Sequence, residues 1–357
     1  MSANSPVPAT DRASTLASVA SAAGVSTATV ARVLKGRGYV GEETRERVLA
    51  VLAATGYQPN ALARSLRTQR SHTLGLLLSR IGRNPLFAEI ARAVEAAAMR
   101  RGYRVLIVNL EGEPERERDG VRRLIESRVD AMLFIHATDP ANVAMATAAG
   151  IATVQVERVV AHDSPAVTVD NRAGCAEAMA HLIGLGHRRI GYIGVDPGRF
   201  PGSMPSIEGE RLATYREALA AAKLPCDAAH IRLLPSYPRP GDSDRPGPGH
   251  ADMLALLDLP DPPTAVLVTG DILATGALQA LYERRLRVPD DISVIGYDDN
   301  LAPFLAPPLS AVAMPTEALG QAACDLALAA IEGETAPLVV QLQTHLTLRH
   351  STAPPRI

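Results

Sequence analysis

Two kinds of hydrophobic pattern divide the chain. From residue 15 the apolar positions recur at helical spacing in short blocks. From residue 73 they gather into strand-length runs that alternate with helical stretches. In the first region a helix is predicted from about Leu16 to Ala23, with Thr15 as N-cap and Gly24 as its stop. A second begins after Ser26, a good N-cap, and runs to about Leu34, with Val30, Val33 and Leu34 inward against Leu16, Val19 and Ala20. A third runs from about Glu42 to Thr55, carries Val48, Leu49 and Leu52 inward, and has Glu42 and Glu43 at its positive end. Gly56 closes it. Two short helices around a Gly24-Val25 turn, followed by a third, form a helix-turn-helix, a device for placing a helix in the major groove of DNA.

The second region reads as strand Thr73–Ser79, helix Pro85–Arg101, strand Tyr103–Asn109, helix Glu115–Ser127, strand Asp130–Ile135, helix Pro140–Ala149 and strand Ile151–Val156. A second series follows: helix Asn171–Leu185, strand Ile190–Val195, helix Glu208–Ala222, strand Ile231–Leu234, helix His250–Leu257, strand Ala265–Thr269, helix Ile272–Leu286 and strand Ile292–Tyr297. Near-continuous apolar strands alternating with helices predict parallel sheets covered on both faces. Two series predict two doubly wound α/β subdomains, with ligands at the carboxyl ends of the strands. Residues 235–249 are Pro/Gly-rich and read as a long loop.

Charge sharpens the division. Residues 1–70 hold nine Arg/Lys against four Asp/Glu, a net +5, while the remainder carries −7, so that the whole sums to −2. A basic end on an acidic body fits an end that meets a polyanion, although such a charge can also be an ordinary solvated surface. Cys175, Cys226 and Cys324 are odd in number, far apart and without metal-ligand spacing, which predicts buried free thiols in a reducing compartment. The N-terminus lacks a signal-peptide pattern, and no apolar run reaches membrane-spanning length, so a cytoplasmic protein that does not engage a membrane is expected. The expected organisation is a disordered tail over 1–14, a headpiece over 15–58, a linker with a short hidden helix over 59–71, and a core over 72–357 of two interleaved subdomains.

Three blocks in order carry a family resemblance: Val19-Ala20…Ala23-Gly24-Val25-Ser26…Thr29-Val30…Arg32-Val33-Leu34, Thr44-Arg45-Glu46-Arg47-Val48, and Gly56-Tyr57-Gln58-Pro59-Asn60-Ala61-Leu62-Ala63-Arg64-Ser65-Leu66. Weaker, collinear motifs follow in Asn84-Pro85-Leu86-Phe87, Val169-Asp170-Asn171, Leu185-Gly186-His187, Glu210-Arg211-Leu212 and Asp291–Asp299. Over residues 15–350 the chain resembles the LacI/GalR family of bacterial transcription factors. The resemblance implies a helix-turn-helix headpiece, a hinge helix, a core like the periplasmic sugar-binding proteins, and assembly as a homodimer or tetramer. No leucine heptad follows His350, which favours the dimer.

By this resemblance the second helix lies in the major groove. Thr27, Ala28 and Arg32 face base edges, and Ser26 and Thr29 face phosphates. For Arg32, base readout competes with a salt bridge to the third helix. Ala31 stands where the family commonly has Ser, Lys35 replaces a frequent Asn and brings a charge to the DNA side, and Gly41 replaces the usual Ser cap. Residues 60–68 resemble the hinge helix: two copies in a dimer would enter the minor groove, with Asn60 capping, Ala63 allowing close approach and Leu66 wedging between base pairs, and Arg64 counted with them among the DNA-binding residues. A two-fold dimer demands a near-palindromic duplex operator.

In the core the resemblance points to Phe87 as an apolar wall, Arg211 as a donor fork and Asp298 as an acceptor, with Asp271 beside them. The effector would be a sugar or related polyhydroxylated molecule, and its binding would alter operator affinity through ordering of the hinge. Gly270-Asp271 stands where the family often has Asn-Asp, which removes an amide from the pocket. Tyr237 is a weaker stacking candidate. No cofactor, metal site or catalytic constellation is expected.

Two other readings compete. A transport binding protein would share the core, but would need an export signal and no DNA headpiece, and residues 1–70 argue against both. A nicotinamide-dependent enzyme is suggested by Gly184-Leu185-Gly186 with Gly191, yet that stretch precedes its strand instead of following one.

Overall fold

The computed structural model describes residues 15–35, 38–57, 70–79, 84–199, 206–235 and 247–356. The chain divides into two units, Met1–Ser71 and His72–Ile357. In the first, α1 (Leu16–Ala23), α2 (Thr27–Lys35) and α3 (Glu42–Thr55) enclose a small core of Val19, Ala20, Ala23, Val30, Val33 and Val48. Thr15 and Ser18 cap α1 reciprocally: the Ser18 amide donates to Thr15 Oγ1 at 3.1 Å, and the Thr15 amide donates to Ser18 Oγ at 2.8 Å. Gly24 ends α1 in the left-handed region at φ 64°, where a side chain would be strained. Two expectations fail. Leu34 is 37% exposed and Leu49 50% exposed. Each neighbours a buried valine, and the 100° step per residue carries it off the narrow inward stripe of a three-helix unit.

The second unit holds two six-stranded sheets. The first has the order β11-β5-β4-β3-β1-β2 and is parallel throughout. It is built from β1 (Thr73–Leu78), β2 (Arg104–Asn109), β3 (Ala131–Ile135), β4 (Ala152–Val156), β5 (Ala166–Asp170) and β11 (Val339–Gln343), with helices α4 (Pro85–Arg100), α5 (Pro114–Glu126) and α6 (Pro140–Ala148). The second has the order β12-β10-β9-β8-β6-β7 and is parallel except for β12. Its strands are β6 (Ile190–Val195), β7 (Ile231–Leu234), β8 (Ala265–Val268), β9 (Ser293–Asp298), β10 (Ser310–Ala313) and β12 (His345–Thr347). The helices that follow in this half of the chain are α7 (Asn171–Gly184), α8 (Ile207–Ala221), α9 (His250–Leu257), α10 (Asp271–Glu283) and α11 (Thr316–Glu332).

The predicted series holds up to β9 but misses β5, β10, α11, β11 and β12. Those missing elements carry the chain between the sheets. It leaves the first sheet after β5, returns through α11 to β11, and crosses again to β12. Helix α11 packs on α4, and Gly320 makes this approach work: a Cβ there would lie 2.4 Å from Ala93 Cβ and 2.7 Å from backbone. Gly320→Ala is therefore expected to destabilise the core by about 1–3 kcal/mol through overpacking. Urea denaturation of the full chain reads this as a lower midpoint, and an unchanged midpoint contradicts the packing account. Cys175 and Cys324 are buried free thiols as expected, but Cys226 is exposed. It sits between α8 and the short turn Ala228–His230 that leads into β7. No single helix among the described residues is long and apolar enough to cross a membrane.

Candidate nucleic-acid interface and effector cleft

Helices α1 and α2 bend by 102° at their break, within the range of DNA-binding helix pairs. Burial of Val30 and Val33 fixes which face of α2 points outward. Ser26, Thr27, Ala28 and Arg32 are exposed, and Thr29 is half-buried. Ser26 Oγ accepts from the Thr29 amide at 3.2 Å and lies 3.0 Å from Thr29 Oγ1, which caps α2. Arg47 holds α3 against the end of α1 by donating from Nε to the Ala23 carbonyl at 3.0 Å. Arg32 has no ion pair with α3 among the described residues, where Arg47 and Glu43 at 3.6 Å are the pair that α3 forms. The Lys35 side chain and the hinge candidates Asn60, Ala63, Arg64 and Leu66 lie outside the described residues, as does Tyr237. Tyr39, between α2 and α3, is 95% exposed. Sequence reading passed over it, since a lone aromatic before a helix carries no periodic signal.

The core site forms where strand ends of the two sheets meet. Asn84 caps α4 by accepting from the Leu86 amide at 3.1 Å, and the first turn of that helix brings in Phe87, which is buried. Phe87 meets the His136 ring edge-on at 5.0 Å between centroids. His136 follows β3, and its Nε2 lies 2.7 Å from Oε2 of Glu157, which follows β4. Next in sequence, Arg158 Nη2 donates to Glu208 Oε1 on α8 at 2.9 Å, with both side chains buried. Arg211, also on α8, donates from Nε to Asn171 Oδ1 at 3.0 Å and from Nη1 to the Thr269 carbonyl at 3.4 Å. Its guanidinium stacks on the Tyr297 ring at 3.7 Å, an arrangement that suits the flat arginine head. Asp298 ends β9 and accepts from the Asp271 amide at 3.4 Å. Asp271 is fully buried and turns its Oδ2 to the amides of Asn300 and Leu301, at 2.7 and 2.8 Å.

The structure thus brings Phe87, Arg211, Asp271 and Asp298 into one region, and gives Asp271 the task of holding the turn beyond Asp298. Sequence reading missed His136, Glu157, Arg158 and Glu208. A charged pair directly after an apolar strand, as in Val156-Glu157-Arg158, is the signal that could have found two of them.

Backbone strain gathers at the same place. His136, Glu157, Asp298 and Asp299 have φ of 60°, 69°, 81° and 66°. Each such conformation costs roughly 1–3 kcal/mol and persists only where its surroundings enforce it. Asp299 is held by a two-pronged pair with Arg349, at 2.6 and 2.9 Å. A cavity of about 260 Å³ opens beside the strand ends, with Glu157, Arg158, Asn171, Glu210, Thr168 and Gln341 among its walls.

The carboxyls titrate in opposite directions. For Glu157, burial pushes upward, but His136, Arg211 and Arg158 outweigh it and hold the group below the usual carboxylate range. Asp271 is pushed up by burial and by Asp298, and Asp298 by burial and by Glu157, with Arg211 opposing. The two aspartates titrate as a pair that keeps a proton well above the ordinary range. A carboxyl whose pKa is raised on folding contributes stability at low pH and loses it as pH rises through the folded value. Core stability is expected to decline as pH rises from the ordinary carboxylate range through about 6 to 7, and to level off above. Asp271→Asn, which keeps an acceptor for Asn300 and Leu301, should flatten that decline. Unfolding followed at about pH 5.5 and about pH 8.5 measures it, and equal slopes in both proteins contradict it.

Comparisons with known proteins place relatives along nearly the whole chain. Residues 15–60 match the family model described as bacterial regulatory proteins, lacI family, and residues 179–352 match a periplasmic binding protein-like domain. The chain is 34% identical to the ribose operon repressor of Escherichia coli (strain K12) over 337 residues, covering 93% of this chain and 97% of the repressor. It is 36% identical to the HTH-type transcriptional regulator CelR of Thermobifida fusca over 352 residues, covering 95% and 98%. Among solved structures it is similar to a lac repressor dimer bound to operator and the anti-inducer ONPF, with TM-score 0.78, 27% identity, and coverage of 96% of this chain and 100% of that one.

Proposed function

The chain belongs to the lacI family of bacterial regulatory proteins, and from that premise we propose that it works as a dimeric, effector-controlled repressor. It is a DNA-binding transcriptional regulator and not an enzyme. The observation that carries the proposal is the exposed start of α2, where Thr27, Ala28 and Arg32 stand outward on a helix whose opposite side is sealed by Val30 and Val33. In our reading this helix enters the major groove, Arg32 reads guanine, Ser26, Thr29 and Lys35 meet phosphates, and the protein acts in the cytoplasm. Asn60, Ala63, Arg64 and Leu66 form the minor-groove hinge in this scheme, and residues 15–58, 59–71 and 72–357 serve as headpiece, hinge and core.

A second copy of the chain is the partner that the exposed apolar surface suits. Leu106 and Ile107 on the edge strand β2 are 41% and 43% exposed. A groove of about 590 Å³ along α10, with Leu278, Tyr282 and Leu305 in its walls, is flanked by Phe304, which is 85% exposed. Patches of this kind mark association surfaces, and two-fold pairing presents two headpieces to a near-palindrome.

The effector is sugar-like in this reading. Arg211, Glu157 and Asp298 offer paired donors and acceptors to neighbouring hydroxyls beside the Phe87 wall. A solved structure similar to this chain, at 32% identity and TM-score 0.68, is a complex of a transcriptional regulator CelR with cellobiose. Effector binds one closure state of the core more tightly and so shifts operator affinity. Selection of random duplexes by the purified full chain is expected to yield one near-palindromic sequence. Retention that does not depend on sequence at modest salt contradicts the proposal.

A further inference from the structure

Glu208 and Glu210 stand on the first turn of α8, where Ser206 caps the helix by accepting from the Gly209 amide at 3.0 Å. Glu208 is 5% exposed, yet its partner, Arg158, comes from the end of β4 in the other sheet. The pair therefore spans the two subdomains. Its second oxygen, Oε2, is buried with no donor among the described residues.

The cations nearest this pair are Arg158, Arg211 and the ionisable His136, with Arg172 beside Glu210 and His162 in the cavity wall. Arg158 is engaged by Glu208. Arg211 is held by Asn171 and the Thr269 carbonyl and lies within the field of Glu157 and Asp298. His136 is engaged by Glu157. Each of the nearest cations is thus already engaged, Arg158 and His136 by a glutamate and Arg211 by neutral acceptors. An incoming anion would have to displace Glu208 from Arg158 or lie among carboxylates in a poorly screened site. A neutral hydroxyl meets no such obstacle beside Arg158, which lines the cavity.

We propose that Glu208 is a charge filter: by occupying Arg158 it restricts the effector to non-anionic, hydroxyl-bearing molecules and excludes sugar phosphates and sugar acids. This rests on the reading of the cleft as the effector site. Specificity here comes from a repulsive element as much as from an attractive one.

Titration calorimetry of the full chain, of Glu208→Gln and of the Arg158→Gln/Glu208→Gln double variant tests the filter, with inorganic phosphate as probe at matched ionic strength. Circular dichroism checks that each is folded. Glu208→Gln is expected to gain at least about tenfold in phosphate affinity over the parent, and the double variant to lose that gain. In parallel, no sugar phosphate or sugar acid should bind the unaltered protein more tightly than its neutral counterpart. A folded Glu208→Gln without the gain overturns the filter. So does an unaltered protein that prefers the anion of any such pair, a comparison that holds even if the variant does not fold. If the phosphate gain appears but no sugar alters operator retention, the filter stands and the effector reading fails.

Discussion

Arg211→Met should leave operator binding intact and abolish its response to effector. The guanidinium is buried, bonded to Asn171 and the Thr269 carbonyl, and stacked on Tyr297. It also offsets the charges of Glu157 and Asp298. Removing one partner from a buried ionic cluster typically costs about 3–5 kcal/mol. Part of that cost will be met by protonation of the Asp271–Asp298 pair, whose carboxyls already titrate well above the ordinary range, so the fold should survive. The ligand site has no such compensation, because the lost donors are directional. Effector affinity is expected to fall by at least about a hundredfold. Calorimetry with the best sugar from a screen, beside operator titrations with and without it, separates the two effects. Near-normal effector affinity would remove Arg211 from the site.

Arg32→Ala should have the largest effect on the DNA side. A bidentate arginine–guanine contact is worth about 1–3 kcal/mol of discrimination, so affinity for the selected operator should fall and preference at one base pair in each half-site should relax. Since a dimer carries two copies, the losses from both half-sites combine. Arg32→Lys keeps the charge but loses the fork, and should recover nonspecific binding without restoring preference. Uniform weakening on all sequences, with preference unchanged, would instead make Arg32 a phosphate contact.

The headpiece was legible because its signals are local. Thr15, Gly24, Ser26 and Gly56 mark ends that cap chemistry dictates, and the bounds of α1 and α3 follow from them. Leu34 and Leu49 were misplaced because a short helix buries so narrow a stripe that one residue of rotation decides exposure. In the core, fully apolar strands announced themselves. Beyond Tyr297 the alternation continues through β10, α11 and β11, but with strands that carry too weak an apolar signal. β10 and β12 are short, β11 alternates as a half-exposed edge strand, and the return of α11 to the first sheet is a long-range event. β5 was missed for a similar reason, having only five residues and no helix between it and β4. The cleft was legible in part. Phe87, Arg211, Asp271 and Asp298 stand in recognisable motifs. His136, Glu157, Arg158 and Glu208 gain meaning only when strand ends from two sheets converge.

The most direct measurement is an anisotropy titration of the full chain on its selected palindrome, repeated with a saturating hydroxylated ligand that calorimetry shows to bind the core. The account predicts that the ligand shifts operator affinity by at least about tenfold, a coupling near 1.4 kcal/mol, and that Arg211→Met erases the shift. Superimposed curves with and without the bound ligand would contradict it.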